Sequence, residues 1–262
     1  SYDEIMDLSD RFCIPSQVLN NLAYDKKIDN TLIKGLQRQT YIANLKKLIN
    51  GIELLKISKL YNENGIDYVF LKGAAINALT NEYSRHSRDI DILVSKKSLT
   101  KAYNILKNIG YTYLNPLVSD RCKYINQSHH LPILSNGDGA LVEIHHRVTK
   151  KLIYEECPLT ELMLEQHLTI IKNKEIIKIS NINHLIAHIV YHAAFQNKFN
   201  SGPMFLYDIN FLKSKIVNKK NLDDLLQKMN LIEAYKDIKD YIDNRITRDS
   251  FRLYEISNIK IQ

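Results

Sequence analysis

Tryptophan is absent from this chain of 262 residues, and glycine and proline are scarce, at 8 and 5. Long flexible linkers and the regular punctuation of repeat proteins are thereby excluded. The three cysteines, Cys13, Cys122 and Cys157, are far apart and odd in number, which argues against a disulfide framework and against a paired-cysteine metal site. A reducing, cytoplasmic setting is expected. No run approaches the ~18 apolar residues of a spanning helix, and the polar, acidic start SYDEIMDLSD does not resemble a signal peptide; no membrane partner is expected. Dense basic blocks with interleaved aromatics are missing too. The net charge of +7 therefore suits a polyanionic ligand such as a nucleotide without marking a dedicated polynucleotide surface.

What the chain does have is enough apolar content, 45%, for a sizeable core, and one stretch that organises the rest. VFLKGAAINALTNEYSRHSRDIDILV, from Val69 to Val94, reads as a buried strand, a glycine turn at Lys72-Gly73, a short helix, a basic loop and a second strand. Side chains alternate along a strand, so Asp89 and Asp91 share one face while Ile90, Ile92 and Val94 face the core. Two like charges on a half-buried strand are unfavourable unless a cation lies between them. A divalent metal carrying a nucleoside triphosphate meets that need, because hard ions favour carboxylate oxygens and leave room for phosphates.

Around this stretch the chain divides into three expected parts. Residues 1–64 form a helical segment packing on the core, with a cap at Asp29 or Asn30 and an apolar stripe of Leu36, Ile42, Leu45, Ile49, Ile52 and Leu55. Residues 65–152 form the catalytic core, with a helix from Ser98 to Ile109 and strands at 111–114, 121–128, 130–134 and 140–146. Residues 153–262 form a mainly helical acceptor-side region, opened by a helix near 159–167 and a hairpin through TIIKNKEIIKIS, with a soft boundary at Leu152 to Pro158.

Several side chains are candidates for chemistry. The helix after Lys72-Gly73 opens with backbone N–H groups that can face an anion, and Gly73 permits close approach. Arg85 and Arg88 either grip phosphate oxygens or offset the aspartates. In LVEIHHRV, alternation puts Glu143 and His145 on one face, placed much as the aspartate pair is. His184, His188 and His192 recur every fourth residue; they span about 12 Å of helix, too far for one ion, so contact with an acceptor or a packed polar seam remains. Asp208, in FLYDINFL, either pairs structurally or faces the acceptor.

Taken together, Gly73 to Leu93 resembles the signature of the polymerase-beta-like nucleotidyltransferase superfamily: a glycine turn opening a helix, then Asp89-Ile90-Asp91-Ile92. More narrowly, LKGAA, Arg85 ahead of DIDILV, and VEIHH are similar to a bacterial branch of uncharacterised nucleotidyltransferases. The resemblance implies an α+β fold with a mixed β-sheet flanked by helices, Mg2+ or Mn2+ held by Asp89, Asp91 and Glu143, and ATP or another nucleoside triphosphate bound near Lys72, Gly73 and Ala74. It further implies transfer of a nucleoside monophosphate to a hydroxyl of a small molecule, peptide, protein or tRNA, releasing pyrophosphate. Two departures stand out. Ala74 replaces the usual glycine or serine, removing a hydroxyl, and 14 residues separate Ala74 from Asp89, a slightly long spacer. A non-catalytic nucleotide-binding module is the competing class, and phosphoryl transfer at the same site a third.

Overall fold

The computed structural model describes residues 1–22, 28–80, 85–115, 128–149 and 159–245. The expected strand at 121–128 lies almost wholly outside them, as do Cys122, Cys157, the boundary at Leu152 to Pro158 and the last helical residues near Asp249.

Three helices precede the sheet: α1 (Tyr2–Arg11), α2 (Pro15–Leu22) and α3 (Asn30–Glu63). The side chain of Asp29 accepts from Thr31 N–H and caps α3, satisfying a donor that the first helical turn leaves open. Gly65, at φ +63°, lets the chain turn out of the helix into the first strand. The expected apolar stripe of α3 holds at Leu36, which is fully buried, and at the half-buried Ile49 and Leu55, and is corrected at the other three positions. Ile42, Leu45 and Ile52 are 55%, 43% and 58% exposed, whereas the buried face carries Leu32, Leu36, Asn50, Glu53, Leu54, Ile57, Ser58 and Tyr61. Polar Asn50 and Glu53 go inside because partners await them: Asn50 donates to the Ser87 carbonyl at 3.3 Å, and Tyr111 donates to Glu53. A hydropathy stripe ignores such pairing.

Seven strands follow: β1 (Tyr68–Phe70), β2 (Ile90–Val94), β3 (Thr112–Tyr113), β4 (Leu134–Ser135), β5 (Leu141–His145), β6 (His167–Lys172) and β7 (Glu175–Ser180). They form one mixed sheet in the order β3-β4-β5-β2-β1-β7-β6. Pairing is parallel between β2 and β5 and between β1 and β7, and antiparallel elsewhere. The strand expected at 130–134 shrinks to β4 and an isolated bridge from His130 to His145. The hairpin β6–β7 lies beyond the expected boundary yet extends the catalytic sheet through β1, so the later part of the chain supplies strands as well as helices.

Helix α4 (Lys72–Leu79) joins β1 to β2, and α5 (Leu99–Asn108) follows β2. Ser98 stands at the α5 N-cap without the expected side-chain cap. Then come α6 (Leu159–Glu165), α7 (Ile182–Tyr191), a π-helical turn (His192–Gln196), α8 (Met204–Lys213), α9 (Lys219–Lys228) and α10 (Ile232–Arg245). One buried cluster runs from Leu54 on α3 through Val69, Phe70, Ile92 and Ile144 on the sheet to Leu185 and Val190 on α7 and Ile242 on α10. Each such side chain stabilises by about 1.5–3 kcal/mol when removed from water, which fixes α3 and α7 against the sheet. No helix among the described residues is long and apolar enough to cross a membrane.

Candidate active site

The site is a consequence of strand register. Parallel β2 and β5 place Asp91 opposite Glu143 and Leu93 opposite His145. Residues two apart on a strand share a face, so Asp91, Glu143 and His145 project together while Ile90, Ile92, Val142 and Ile144 enter the core. His145 Nε2 lies 2.8 Å from Asp91 Oδ1 and 3.4 Å from Glu143 Oε2. Ligand atoms of these three residues all fall within 4.8 Å of one another.

Lys72 completes the charge balance. It is the first residue of α4, held at φ +43°, and its Nζ donates to Asp91 Oδ1 at 3.0 Å. A non-glycine residue in the left-handed region costs about 1–3 kcal/mol, a strain supported here by the buried ion pair and by the Leu71 N–H bond to the Asp91 carbonyl at 3.0 Å. Burial alone would raise the Asp91 carboxyl, but Lys72 and His145 hold it well below the usual range. Burial likewise opposes charge on His145, yet its bonds to Asp91 and Glu143 raise it. Glu143, for which burial works upward, is lowered by the His145 hydrogen bond. Asp89 precedes β2 and is less buried than Asp91; burial, reinforced by the charges of Asp91 and Glu143, pushes it up to about 7. It is not within the close group of ligand atoms, whereas His145, expected on the acceptor side, is.

The arginines of the basic loop, read in the sequence as gripping phosphate or offsetting the aspartates, both bond protein groups, and the Arg85 charge also acts against the rise of Asp89. Arg85 Nε donates to Asp208 Oδ1 at 2.8 Å and to Oδ2 at 3.2 Å, and its guanidinium also meets the His86 carbonyl. Arg88 donates to the carbonyls of Asp10 and Arg11, each at 3.2 Å. These are the end of α1, whose negative dipole end attracts a cation. Gly73 also has a packing use. A Cβ there would meet Ser87 Cβ at 2.9 Å and Arg85 Cζ at 3.5 Å, so its missing side chain admits the loop against α4. Ala74 is buried, and Leu71 gives no side-chain cap.

Histidines form the wall beyond His145. The rings of His129 and His130 lie 5.3 and 5.5 Å from that of His145, and His188 and His192 stand 6.3 Å apart. Burial, then the Lys72 charge, pushes His192 down to about 3 and His188 well below its usual value. His129 is pushed to about 3 by burial and by His145. The π-helical turn after His192 brings Gln196 within 3.1 Å of His129; such turns recur at functional sites. Among the described residues Nδ1 of His145 and of His188 has no hydrogen-bond partner. Sequence reasoning missed His129 and His130; the signal was their closeness to VEIHH across the Gly137-Asp138-Gly139 turn, which folds them back beside β5.

Residues 16–238 match the family model described as "Uncharacterised nucleotidyltransferase". No curated protein matches the chain. Among solved structures, the antibiotic-resistance factor ANT(2'')-Ia in solution has a TM-score of 0.46 at 13% identity, covering 74% of this chain and 96% of that one. The same factor in complex with adenylyl-2''-tobramycin has a TM-score of 0.40 at 13% identity, covering 69% and 95%. An antigenic nucleotidyltransferase-like protein from Paracoccidioides brasiliensis has a TM-score of 0.42 at 15% identity, covering 76% and 92%.

Proposed function

The chain belongs to this family of nucleotidyltransferases, and from that premise we propose that it moves a nucleoside monophosphate, AMP from ATP in the first place, to a hydroxyl of an acceptor, releasing pyrophosphate. The observation that carries this reading is the pairing of Asp91 with Glu143 across β2 and β5, beside the first turn of α4.

The donor chemistry fits a divalent metal. Two carboxylates from neighbouring strands bring ligand atoms within 4.8 Å of an imidazole nitrogen, and the Asp89 carboxylate feels the charges of both. Asp91 and Glu143 would hold the ion, with Asp89 as the outer carboxylate toward the triphosphate. When bound, such an ion neutralises charge on the reacting phosphate and the leaving pyrophosphate. The remaining work belongs to the chain. Lys72 keeps Asp91 ionised and adds a cation at the start of α4, where backbone N–H groups favour phosphate oxygens. Glu143 orients the acceptor hydroxyl and takes its proton as the new phosphoester bond forms. The wall of His129, His188 and His192, held neutral by burial, can accept or donate hydrogen bonds to an acceptor without repelling a cationic one.

Incubation with each nucleoside triphosphate, a divalent ion and an acceptor-containing cell extract tests this. Pyrophosphate release together with an acceptor that gains AMP is the expected result; a gain of phosphate would instead identify phosphoryl transfer. The non-catalytic alternative is favoured by one specific observation, that Arg85 and Arg88 are both engaged by protein groups. It predicts a thermal shift with ATP and no pyrophosphate with any acceptor.

A further inference from the structure

We propose that His145 is itself a metal ligand, and that its nitrogen turns the site toward a first-row divalent ion, Mn2+, in preference to Mg2+. This rests on the metal reading of Asp91 and Glu143 given above and adds the donor that decides which ion binds.

The geometry allows a ligand. Bonds of about 2.1 Å to a divalent ion place neighbouring donor atoms about 3.0 Å apart in an octahedron and about 3.4 Å apart in a tetrahedron. His145 Nε2 lies 2.8 Å from Asp91 Oδ1, now its hydrogen-bond partner and that of Lys72, and 3.4 Å from Glu143 Oε2, so small shifts that release the Lys72 contact would let the three donors meet on one ion. The ring is 1% exposed, so its rotation is limited by packing against His129 and His130. The other histidines of the site do not join this group of ligand atoms.

Donor chemistry then selects the ion. Mg2+ prefers oxygen ligands and sheds water reluctantly. Imidazole suits the first-row divalent ions, whereas carboxylate and phosphate oxygens suit Mg2+ and Mn2+ alike; Mn2+, the weakest binder of that row, shares the oxygen ligands with Mg2+, so of these two ions the nitrogen favours Mn2+. A histidine that merely steadies Asp91 through a hydrogen bond would leave the preference between the two ions unchanged.

Mn2+ alone is the probe. Titration of the full chain followed by electron paramagnetic resonance gives its affinity, and electron spin-echo modulation of the bound ion reports directly attached nitrogen. The expected result is a 14N coupling in the wild type that disappears in His145→Gln. Outer partners of metal ligands commonly cost ~10–100-fold in affinity, so loss of a ligand should weaken Mn2+ by about 100-fold. Mg2+, measured by competition, should change far less. Should His145→Gln fail to fold, wild-type protein grown with 15N-histidine shows whether one of its nine histidines is attached, and retention of that coupling in His129→Gln and His188→Gln assigns it to His145. Bound Mn2+ without histidine nitrogen coupling, or equal weakening of both ions in the variant, overturns the proposal. Absence of any Mn2+ binding likewise overturns the proposal, whereas the nucleotidyl-transfer reading stands or falls separately on pyrophosphate release with Mg2+ and triphosphate.

Discussion

Arg85 and Asp208 form a buried ion pair, Nε to Oδ1 at 2.8 Å, between residues 123 apart in sequence. It ties the loop entering β2 to α8, and so ties the approach to Asp89 to the helical part of the chain. Their side chains are 13% and 4% exposed, so the geometry is not screened by water as a surface pair would be. Removing one partner leaves a buried charge uncompensated. Asp208→Ala or Arg85→Ala is expected to cost about 3–5 kcal/mol. Replacing both with apolar residues, Arg85→Met with Asp208→Leu, should recover most of that loss. Urea unfolding of the three variants checks the ordering; single variants as stable as the wild type would mean that the pair does not hold the loop.

The carboxylates should separate by their surroundings. Asp89→Asn is expected to lower transfer by at least about 100-fold with little change in melting temperature, because Asp89 is the less buried of the two. Asp91→Asn should remove transfer and also lower the melting temperature, since it leaves Lys72 and His145 facing a neutral amide. Pyrophosphate release and thermal melts on the same preparations make the comparison. Wild-type turnover in a folded Asp89→Asn, Asp91→Asn double variant would remove the assignment.

Gly73 carries a packing prediction. An added Cβ would lie 2.9 Å from Ser87 Cβ, inside ordinary contact, so Gly73→Ala should destabilise by about 1–3 kcal/mol. Ser87→Gly removes the opposing atom and should offset much of this in the double variant, a coupling that a double-mutant cycle measures directly. Additive effects would show that the loop does not rest on α4 there.

Stability should fall at mildly acidic pH. Burial pushes His129 and His192 down to about 3 and His86 to about 4, with His188 also well below its usual value. A histidine depressed in the folded state contributes stability that is full above its unfolded value of about 6.5 and is lost as pH falls toward the folded value. Asp89, raised to about 7, and the raised His145 act in the opposite sense, their contributions being lost as pH rises through the folded values. With His146 and His184 also lowered and Asp208 also raised, six depressed histidines stand against three raised groups, so stability is expected to fall between about pH 7 and about pH 5.5. Urea midpoints across that range measure it, and a flat profile would contradict the neutral histidine wall.

The strand and turn chemistry of Val69 to Val94 was legible because local rules act there: alternation, a glycine turn, and charged residues at odd positions. The same alternation placed Glu143 and His145 on one face. What sequence could not give was the partner of each charge. Arg85 meets Asp208 and Arg88 meets α1 through contacts distant in sequence, and the exposed Ile42, Leu45 and Ile52 lost the inner face of α3 to Asn50 and Glu53 for the same reason. The turn at 137–139 and strand β5 were legible, but the closure of His129 and His130 onto His145 was not, because ring-to-ring contact depends on side-chain packing that alternation does not specify.

The parallel pairing of Phe70 with Ile179 has a bearing on how the protein is made. As synthesis proceeds from the N-terminus, β1, β2 and β5 leave the ribosome well before β7, so the inner strand β1 has one unpaired side until the hairpin emerges. Open strand edges of this kind invite pairing with other chains, and distant contacts form slowly. Chaperone dependence should therefore centre on that interval, and a release delayed until residue 180 has cleared the exit tunnel would shield the nascent sheet.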